Sequence, residues 1–173
     1  MQRTRHIVLF LAIAGVISAA ITSTSCGIYK FKDVNFPDSI KTFRLNPIEN
    51  RAPYVNSQLT SQLTDRLRRK IISQTRLKQV SNDNPDWEIT GTITDYSFST
   101  SGISNQQTAS NRLNVSVHLV RNDLKSGESK EYNVSRNFDF PASQTLQQAE
   151  SNLLNDMIRG LTDDIFNQLF STW

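Results

Sequence analysis

Cys26 is the one residue of this chain whose type and position together predict a covalent reaction. It is the only cysteine among 173 residues, so the chain cannot form an internal disulfide. A thiol is a nucleophile in its deprotonated form and is open to modification by other molecules. Small and hydroxyl side chains precede it at 22–25, and glycine follows it. This pattern predicts that Cys26 carries a covalently attached group.

A secretory signal lies before this cysteine. Arg3 and Arg5 give a basic start, and the apolar run from Ile7 to Ile21 is shorter than the about 20 residues of a permanent membrane-spanning helix. Small residues followed by Cys-Gly resemble the lipobox of bacterial lipoproteins, in which the cysteine is acylated and the signal is removed. Several acyl chains on one residue anchor a protein stably. Ser23 stands where a lipobox usually has leucine, which leaves open an ordinary signal peptide with a stray cysteine.

We therefore expect three segments: a signal peptide at 1–25, a lipidated cysteine with a tether at 26–39, and a single domain at 40–173. Residue 27 is glycine, not the aspartate that retains some lipoproteins at the inner membrane, and no acidic run follows the cysteine. The expected location is the periplasmic face of the outer membrane.

The composition argues against nucleic acid as a partner. The chain has 19 basic and 16 acidic side chains, and the signal removes two of the basic ones. The mature protein is therefore nearly neutral, whereas nucleic-acid binding needs a broad positive surface.

Catalytic and metal-binding sets are missing from the mature sequence. His118 is its one histidine, because the other of the two lies in the signal. It falls on the polar side of a predicted strand, where it is expected to be exposed or hydrogen-bonded. Neither a Ser-His-Asp set, a G-x-S-x-G motif, a phosphate-binding glycine loop nor a metal-ligand cluster can be assembled. We expect no enzyme and no cofactor beyond the lipid on Cys26.

Apolar alternation predicts four strands. The clearest has Leu113, Val115, Val117 and Leu119 on one face. The others lie at 40–45, from 87 to 98, and from 132 to 140. In the second of these the alternation changes phase at Asp95, which indicates a β-bulge. The polar, almost uncharged segment 99–111 predicts a long loop, and 125–128 predicts a turn.

Two amphipathic helices complete the pattern. The first begins after Asn56, a plausible N-cap, and repeats Leu59, Leu63, Leu67 and Ile71 every four residues. The second begins at a capping box formed by Thr145 and Gln148. Its wide apolar stripe contains Gly160, which indicates close packing or a bend. The order β-α-β-β-β-α predicts an α+β two-layer sandwich, with one four-stranded mixed sheet and both helices packed on one face.

Several short motifs together carry a resemblance to a known family. They are Cys26-Gly27-Ile28-Tyr29, Ala52-Pro53-Tyr54-Val55-Asn56, Ser73-Gln74-Thr75-Arg76-Leu77, Gly91-Thr92-Ile93-Thr94-Asp95-Tyr96, Asn111-Arg112-Leu113 and Asp164-Ile165-Phe166-Asn167. In order and spacing the chain resembles the LPS-assembly lipoprotein LptE family, in its Bacteroidetes-type version. The likeness covers essentially the whole mature chain.

The resemblance implies a non-catalytic role. Members of this family sit at the periplasmic side of the outer membrane, plug the lumen of the β-barrel LptD, support its assembly, and take part in lipopolysaccharide transport. A lipid-anchored, nearly neutral domain is compatible with that role. The competing hypothesis is a non-catalytic lipoprotein subunit of another envelope assembly or transport complex, because fold alone does not select between them.

Direct lipopolysaccharide binding would require cations for its phosphates. The candidate contacts are Arg112, Lys130, Arg136 and the pair Arg68 and Arg69. Arg136 occupies a row otherwise filled by apolar side chains, and its alternative is an intramolecular salt bridge or a solvated edge position. For Arg68 and Arg69, the alternative is a solvated helix face close to unpaired C-terminal carbonyls.

Overall fold

The structure, a computed structural model, describes residues 37–81, 84–104 and 107–170, with the backbone alone at 101–104 and 107–109. All described residues lie within one compact unit, Val34–Trp173. Cys26, most of the predicted tether and Trp173 lie outside the described residues. Neither described helix combines the length and apolarity needed to cross a membrane.

Six strands and two helices make up the described domain. In chain order they are β1 (Thr42–Leu45), β2 (Glu49–Asn50), α1 (Ser57–Gln74), β3 (Lys78–Gln79), β4 (Trp87–Ser104), β5 (Gln107–Asp123), β6 (Glu128–Pro141) and α2 (Leu146–Phe170). The α+β class is confirmed. The prediction of four strands is wrong in number, because β2 and β3 each have two residues, too few for any periodicity to show.

The sheet is mixed, as predicted. Its strand order is β3-β1-β4-β5-β6, with β2 pairing β4 separately. β1 is parallel to both of its neighbours, so α1 lies in a crossover connection between parallel strands. β4, β5 and β6 form an antiparallel meander.

The expected loop at 99–111 is wrong. β4 and β5 continue through this segment as a hairpin, with Ser99 opposite Arg112 and Ser104 opposite Gln107. The two polar arms satisfy each other's backbone hydrogen-bonding groups, so they need no apolar face to pair. Register shifts on both sides of Gly102 further obscure the period-2 pattern.

The expected bulge in β4 is confirmed. The pairing with β5 shifts register between Ile93 and Asp95. As a result Ile93 and Tyr96, which differ in parity, both point into the core.

One hydrophobic core fills the space between the sheet and the helices. The predicted inward row of β5, from Leu113 to Leu119, is buried together with the four-residue repeat of α1. The intervening residues of β5 are half-buried. Val134, Phe138 and Phe140 of β6 complete the core beneath α2.

The helix ends and the last turn follow the predicted signals. Asn56 Oδ1 accepts the Leu59 N–H at 3.0 Å. In α2, the Thr145 N–H donates to Gln148 Oε1 at 3.0 Å, and the Gln148 N–H donates to Thr145 Oγ1 at 3.3 Å. Gly127 adopts φ 74° in the turn between β5 and β6, a conformation that suits glycine.

Candidate functional site

The predicted cations on the sheet all have carboxylate partners within the chain. Arg112 forms a bidentate pair with Asp139 across β5 and β6, at 2.7 and 3.0 Å. The hydrogen bond and charge of Asp139 raise the pKa of Arg112. Lys130 lies 3.2 Å from Glu128 on the same edge strand.

Arg136 has the intramolecular salt bridge that the sequence left as its alternative. Its Nη1 lies 2.6 Å from Asp164 Oδ2, and its side chain is still 43% exposed. The pair links the edge strand β6 to α2. Arg136 also lies against Gly160, which explains the glycine in the middle of this helix.

The two predicted cations of α1 differ in their surroundings. Arg68 lies 2.5 Å from Asp65. The side chain of Arg69 is exposed and makes no hydrogen bond or ion pair with the described part of the chain. Helix α1 has no basic residue in its last turn, so the explanation of these charges by the C-terminal carbonyls is wrong. Arg68 instead pairs with Asp65, and Arg69 faces the solvent.

The five candidates therefore do not come together. Cross-strand pairing places Arg112 on the sheet face away from the helices, whereas Lys130 and Arg136 belong to the helix-facing row of β6. These last two are six positions apart, which is about 20 Å along a strand. Arg68 and Arg69 lie on a different element altogether.

Arg69 does line a groove between the two helices, here called the interhelical groove. Its volume is about 420 Å³. Its lining residues are Gln62, Asp65, Arg66, Arg69, Asn155, Asp156, Ile158 and Arg159. Arg159 pairs with Asp156 at 2.8 Å, whereas Arg66, like Arg69, has no ion-pair partner among the described residues. The groove thus presents two guanidinium groups that an external anion can pair with.

A buried carboxylate joins three elements at the end of the domain where the β4–β5 hairpin lies, here called the hairpin end. Glu150 of α2 accepts hydrogen bonds from Tyr96 Oη at 2.6 Å, Tyr54 Oη at 3.1 Å and Asn56 Nδ2 at 3.2 Å. Burial and then the Glu150 hydrogen bond raise the pKa of Tyr96. The hydrogen bond to Glu150 also raises the pKa of Tyr54. The carboxylate is fully engaged in holding β4, α2 and the start of α1 together.

An apolar pocket lies beside this cluster. The hairpin-end pocket is lined by Tyr54, Tyr96, Ser97, Phe98, Leu113 and Leu146, and its volume is about 270 Å³. The Tyr54 and Tyr96 rings stack with centroids 5.4 Å apart. Sequence reasoning missed this pocket and the Glu150 cluster because their members come from four distant segments. The available signal was Phe98, the last apolar residue of its row before a polar arm.

The sheet face away from the helices is polar. Ser116 and Ser135 hydroxyls lie 2.8 Å apart, and His118 Nδ1 lies 3.0 Å from Asn133 Oδ1. His118 is therefore hydrogen-bonded, as expected. Among the described residues, no three metal-ligating side chains are grouped so that they could hold an ion.

Comparison with known proteins concerns the same part of the chain. The family model described as LptE, lipopolysaccharide-assembly, matches residues 40–169. This match covers more than half of the chain and almost all of the described domain. No curated protein sequence matches the chain.

Two solved structures share the fold. A minor lipoprotein from Acinetobacter baumannii is 16% identical with a TM-score of 0.51, over 77% of this chain and 94% of that one. A Xanthomonas campestris protein of the DUF330 family is 11% identical with a TM-score of 0.51, over 76% of this chain and 83% of that one. At these identities the likeness supports the architecture alone.

Proposed function

The chain belongs to the LptE family of lipopolysaccharide-assembly proteins, and from this premise we propose that it is an outer-membrane lipoprotein of that pathway. In this proposal it plugs an LptD-like β-barrel and supports the barrel's assembly. It takes part in lipopolysaccharide transport to the outer membrane and has no catalytic role. The family match over residues 40–169 is the observation that carries the proposal.

The polar outer surface of the domain supports a place inside a barrel. Barrel interiors are polar, and a plug needs hydrogen-bonding side chains more than apolar ones on the surface that meets the wall. The open sheet face provides hydroxyl, amide and imidazole groups, such as Ser116, Asn133 and His118. These groups both donate and accept, so they suit a wall of mixed polarity.

Co-purification from detergent-solubilised outer membrane tests this function. A tagged full-length protein is expected to retain a large β-barrel partner in near-equal amount. Recovery of a trans-envelope pump or periplasmic ring component instead would favour the alternative, a non-catalytic subunit of another envelope complex. Absence of any barrel would contradict the proposal.

The proposed attachment is through Cys26, facing the periplasm, with 1–25 removed as the signal and 26–39 serving as lipidated cysteine and tether to the single domain at 40–173. Metabolic labelling with a fatty-acid probe is expected to mark the wild type and not Cys26→Ala. Equal labelling of both would refute the anchor. Export of Cys26→Ala to the periplasm is the control, because it shows that the signal still works.

The most detailed part of the proposal is that the domain contacts lipopolysaccharide directly. The candidates remain Arg112, Lys130, Arg136, Arg68 and Arg69. Arg69 ranks first, since it lines the interhelical groove and its charge is not paired within the described residues. The other four would have to exchange an intramolecular carboxylate for a phosphate of the ligand.

Binding of purified lipopolysaccharide to alanine variants separates these candidates. Arg69→Ala is expected to weaken binding, and Arg69→Lys to restore part of it, because a phosphate needs the charge and prefers the guanidinium fork. Arg112→Ala, Lys130→Ala, Arg136→Ala and Arg68→Ala complete the series, each checked by thermal melting. Unchanged binding in all five folded variants would remove these residues from the site and leave the plug role standing.

A further inference from the structure

Exposed apolar side chains concentrate at the hairpin end. The described residues include five large hydrophobic side chains that are strongly exposed, namely Tyr54, Val55, Ile72, Phe98 and Leu124. Three of the five belong to this end: Tyr54 is 44% exposed, and Val55 and Phe98 are each 61% exposed. An isolated exposed apolar residue needs no explanation, but a cluster around a pocket marks an interaction surface.

The hairpin-end pocket has a defined size and chemistry. Its about 270 Å³ is below the range of drug-sized ligand sites and fits one or two side chains. Among the side chains that the structure describes, no charged one lines it, and the hydroxyls are those of Tyr54, Tyr96 and Ser97. An occupant must therefore be small, uncharged and mostly apolar.

The pocket is held open by the hydrogen bonds of Glu150. Both tyrosine hydroxyls donate to this carboxylate, which fixes the two rings in their stacked arrangement. Tyr54 consequently cannot turn to fill the pocket without losing a hydrogen bond to a buried charge. A preformed cavity lowers the cost of binding, because its walls need not be ordered when the partner arrives.

The described ends of the chain lie at the other end of the domain. The Phe170 ring lies 6.0 Å from the Trp87 ring. Leu146, which lines the hairpin-end pocket, is the first residue of α2. The 25 residues of this helix separate Leu146 from Phe170 by about 38 Å. Near the described start, Lys125 Nζ donates to the Ser39 carbonyl, beside the turn between β5 and β6.

A glycolipid is a poorer match than a protein. Its phosphates would require a cation beside the acyl chain, but the described residues that line the pocket include no cation. Arg112 lies opposite Ser99, the residue after Phe98, so it points to the other face of the sheet. There its guanidinium is paired with Asp139. Aromatic and aliphatic anchors seated in uncharged pockets are typical of the centres of protein interfaces.

We propose that the hairpin-end pocket is a docking site for an apolar side chain of the β-barrel partner, with Tyr54 and Phe98 as the anchors on this chain. The inference rests on the proposed function, and it adds which end of the domain engages the partner. The polar sheet face then forms the solvent-accessible rim beside this apolar contact.

Phe98→Asp tests the docking site against Leu124→Asp as a matched control. Both substitutions place a carboxylate on a strongly exposed hydrophobic position, but Leu124 lies beside the turn at the other end. In co-purification of the full-length lipoprotein from outer membrane, Phe98→Asp is expected to lower barrel affinity about tenfold or more. Leu124→Asp is expected to leave it unchanged, and thermal melts confirm that both variants fold. Equal barrel recovery with both variants would overturn the docking site while the plug function stands.

A photo-reactive phenylalanine analogue at position 98 identifies the occupant. The expected product is a crosslink to the co-purified barrel, with none from the same analogue at position 124. A crosslink to lipopolysaccharide, to the chain's own N-terminal segment, or to nothing would overturn the inference. If the wild type recovers no barrel at all, the proposed function itself fails, and the docking site falls with it.

Discussion

The side chain of Arg136 lies directly against Gly160 of α2. A Cβ built on Gly160 would stand 2.5 Å from Arg136 Nε and 2.8 Å from Cζ. The guanidinium continues to Asp164, four residues further along the helix, at 2.6 Å. A charged residue within an apolar row and a glycine within a helix thus have one common cause: the arginine crosses the helix where it has no side chain.

Replacing Gly160 by alanine tests this dependence in a double-mutant cycle with Arg136→Ala. Alanine is worth about 1 kcal/mol over glycine in a helix. With Arg136 present, the added methyl must displace the guanidinium and so break its salt bridge to Asp164. An exposed pair of this kind contributes up to about 1 kcal/mol to stability. We expect Gly160→Ala to give little or no gain in wild type and a gain of about 1 kcal/mol in Arg136→Ala. Equal effects in both backgrounds, measured by urea unfolding, would contradict the arrangement.

Local signals account for most of the fold that the sequence could predict. The Asn56 cap, the Thr145 and Gln148 box, the inward row of β5 and the bulge at Asp95 depend on residues close together in the chain. The polar hairpin arms escaped prediction for the opposite reason. They pair with each other and not with a core, so apolar periodicity carries no information about them.

The candidate sites were less accessible because they depend on distant contacts. Glu150 accepts hydrogen bonds from Tyr54, Asn56 and Tyr96, which lie 96, 94 and 54 residues away in the chain and in no periodic relation to it. Arg121 continues the inward row of β5, yet its guanidinium lies 4.2 Å from the Trp87 ring and donates to the Leu169 carbonyl at 2.5 Å. A single sequence shows which residue types are present, but it does not show that these residues lie close together in the fold.

The two faces of β5 should respond very differently to charge. Val117 is 1% exposed and belongs to the core, so Val117→Asp buries a carboxylate without a partner and should cost about 3 kcal/mol or more. Ser116→Asp changes the half-buried outer face and its Ser135 contact, at about 1 kcal/mol. Thermal melts of both variants measure the contrast. Comparable losses would mean that the outer face is covered as closely as the inner one.

Asp86 should make the domain sensitive to acid. Burial raises its pKa, but hydrogen bonds from the Lys41 N–H, from Lys125 and from Thr42 outweigh burial and lower the pKa to about 2. Because the pKa is lower in the folded state, the stabilisation is present above about pH 4 and is lost as the pH falls through about 2. The free-energy difference between wild type and Asp86→Asn should therefore shrink by about 2 kcal/mol across that window.

Asp38→Asn is the matched control for this acid effect. Asp38 lies at the same end of the domain, where Lys125 contacts both Asp86 and the Ser39 carbonyl, and its side chain is 89% exposed beside Arg76. Exposed pairs of this kind contribute about 0 to 1 kcal/mol. A pH dependence in Asp86→Asn that matches that of wild type would refute the role of Asp86.

The Glu150 cluster should make the domain sensitive to alkali. Burial and the Glu150 hydrogen bond raise the pKa of Tyr96, so the phenol stays protonated in the folded state after it would ionise in the unfolded chain. A raised folded-state pKa gives stability that is fully present below about pH 10 and is lost as the pH rises beyond it, by up to about 1.4 kcal/mol for each pH unit. In chemical unfolding between pH 9 and 11, the stability of Tyr96→Phe should therefore decline less steeply than that of wild type. The difference in slope should correspond to about one proton released on unfolding.

Glu150→Gln tests the cause of the raised pKa. The phenolate absorbance should shift to lower pH in this variant because the repelling charge is gone, whereas Glu131→Gln, on the exposed edge strand, should leave it unchanged. An unchanged titration in Glu150→Gln would show that burial alone sets the pKa of Tyr96.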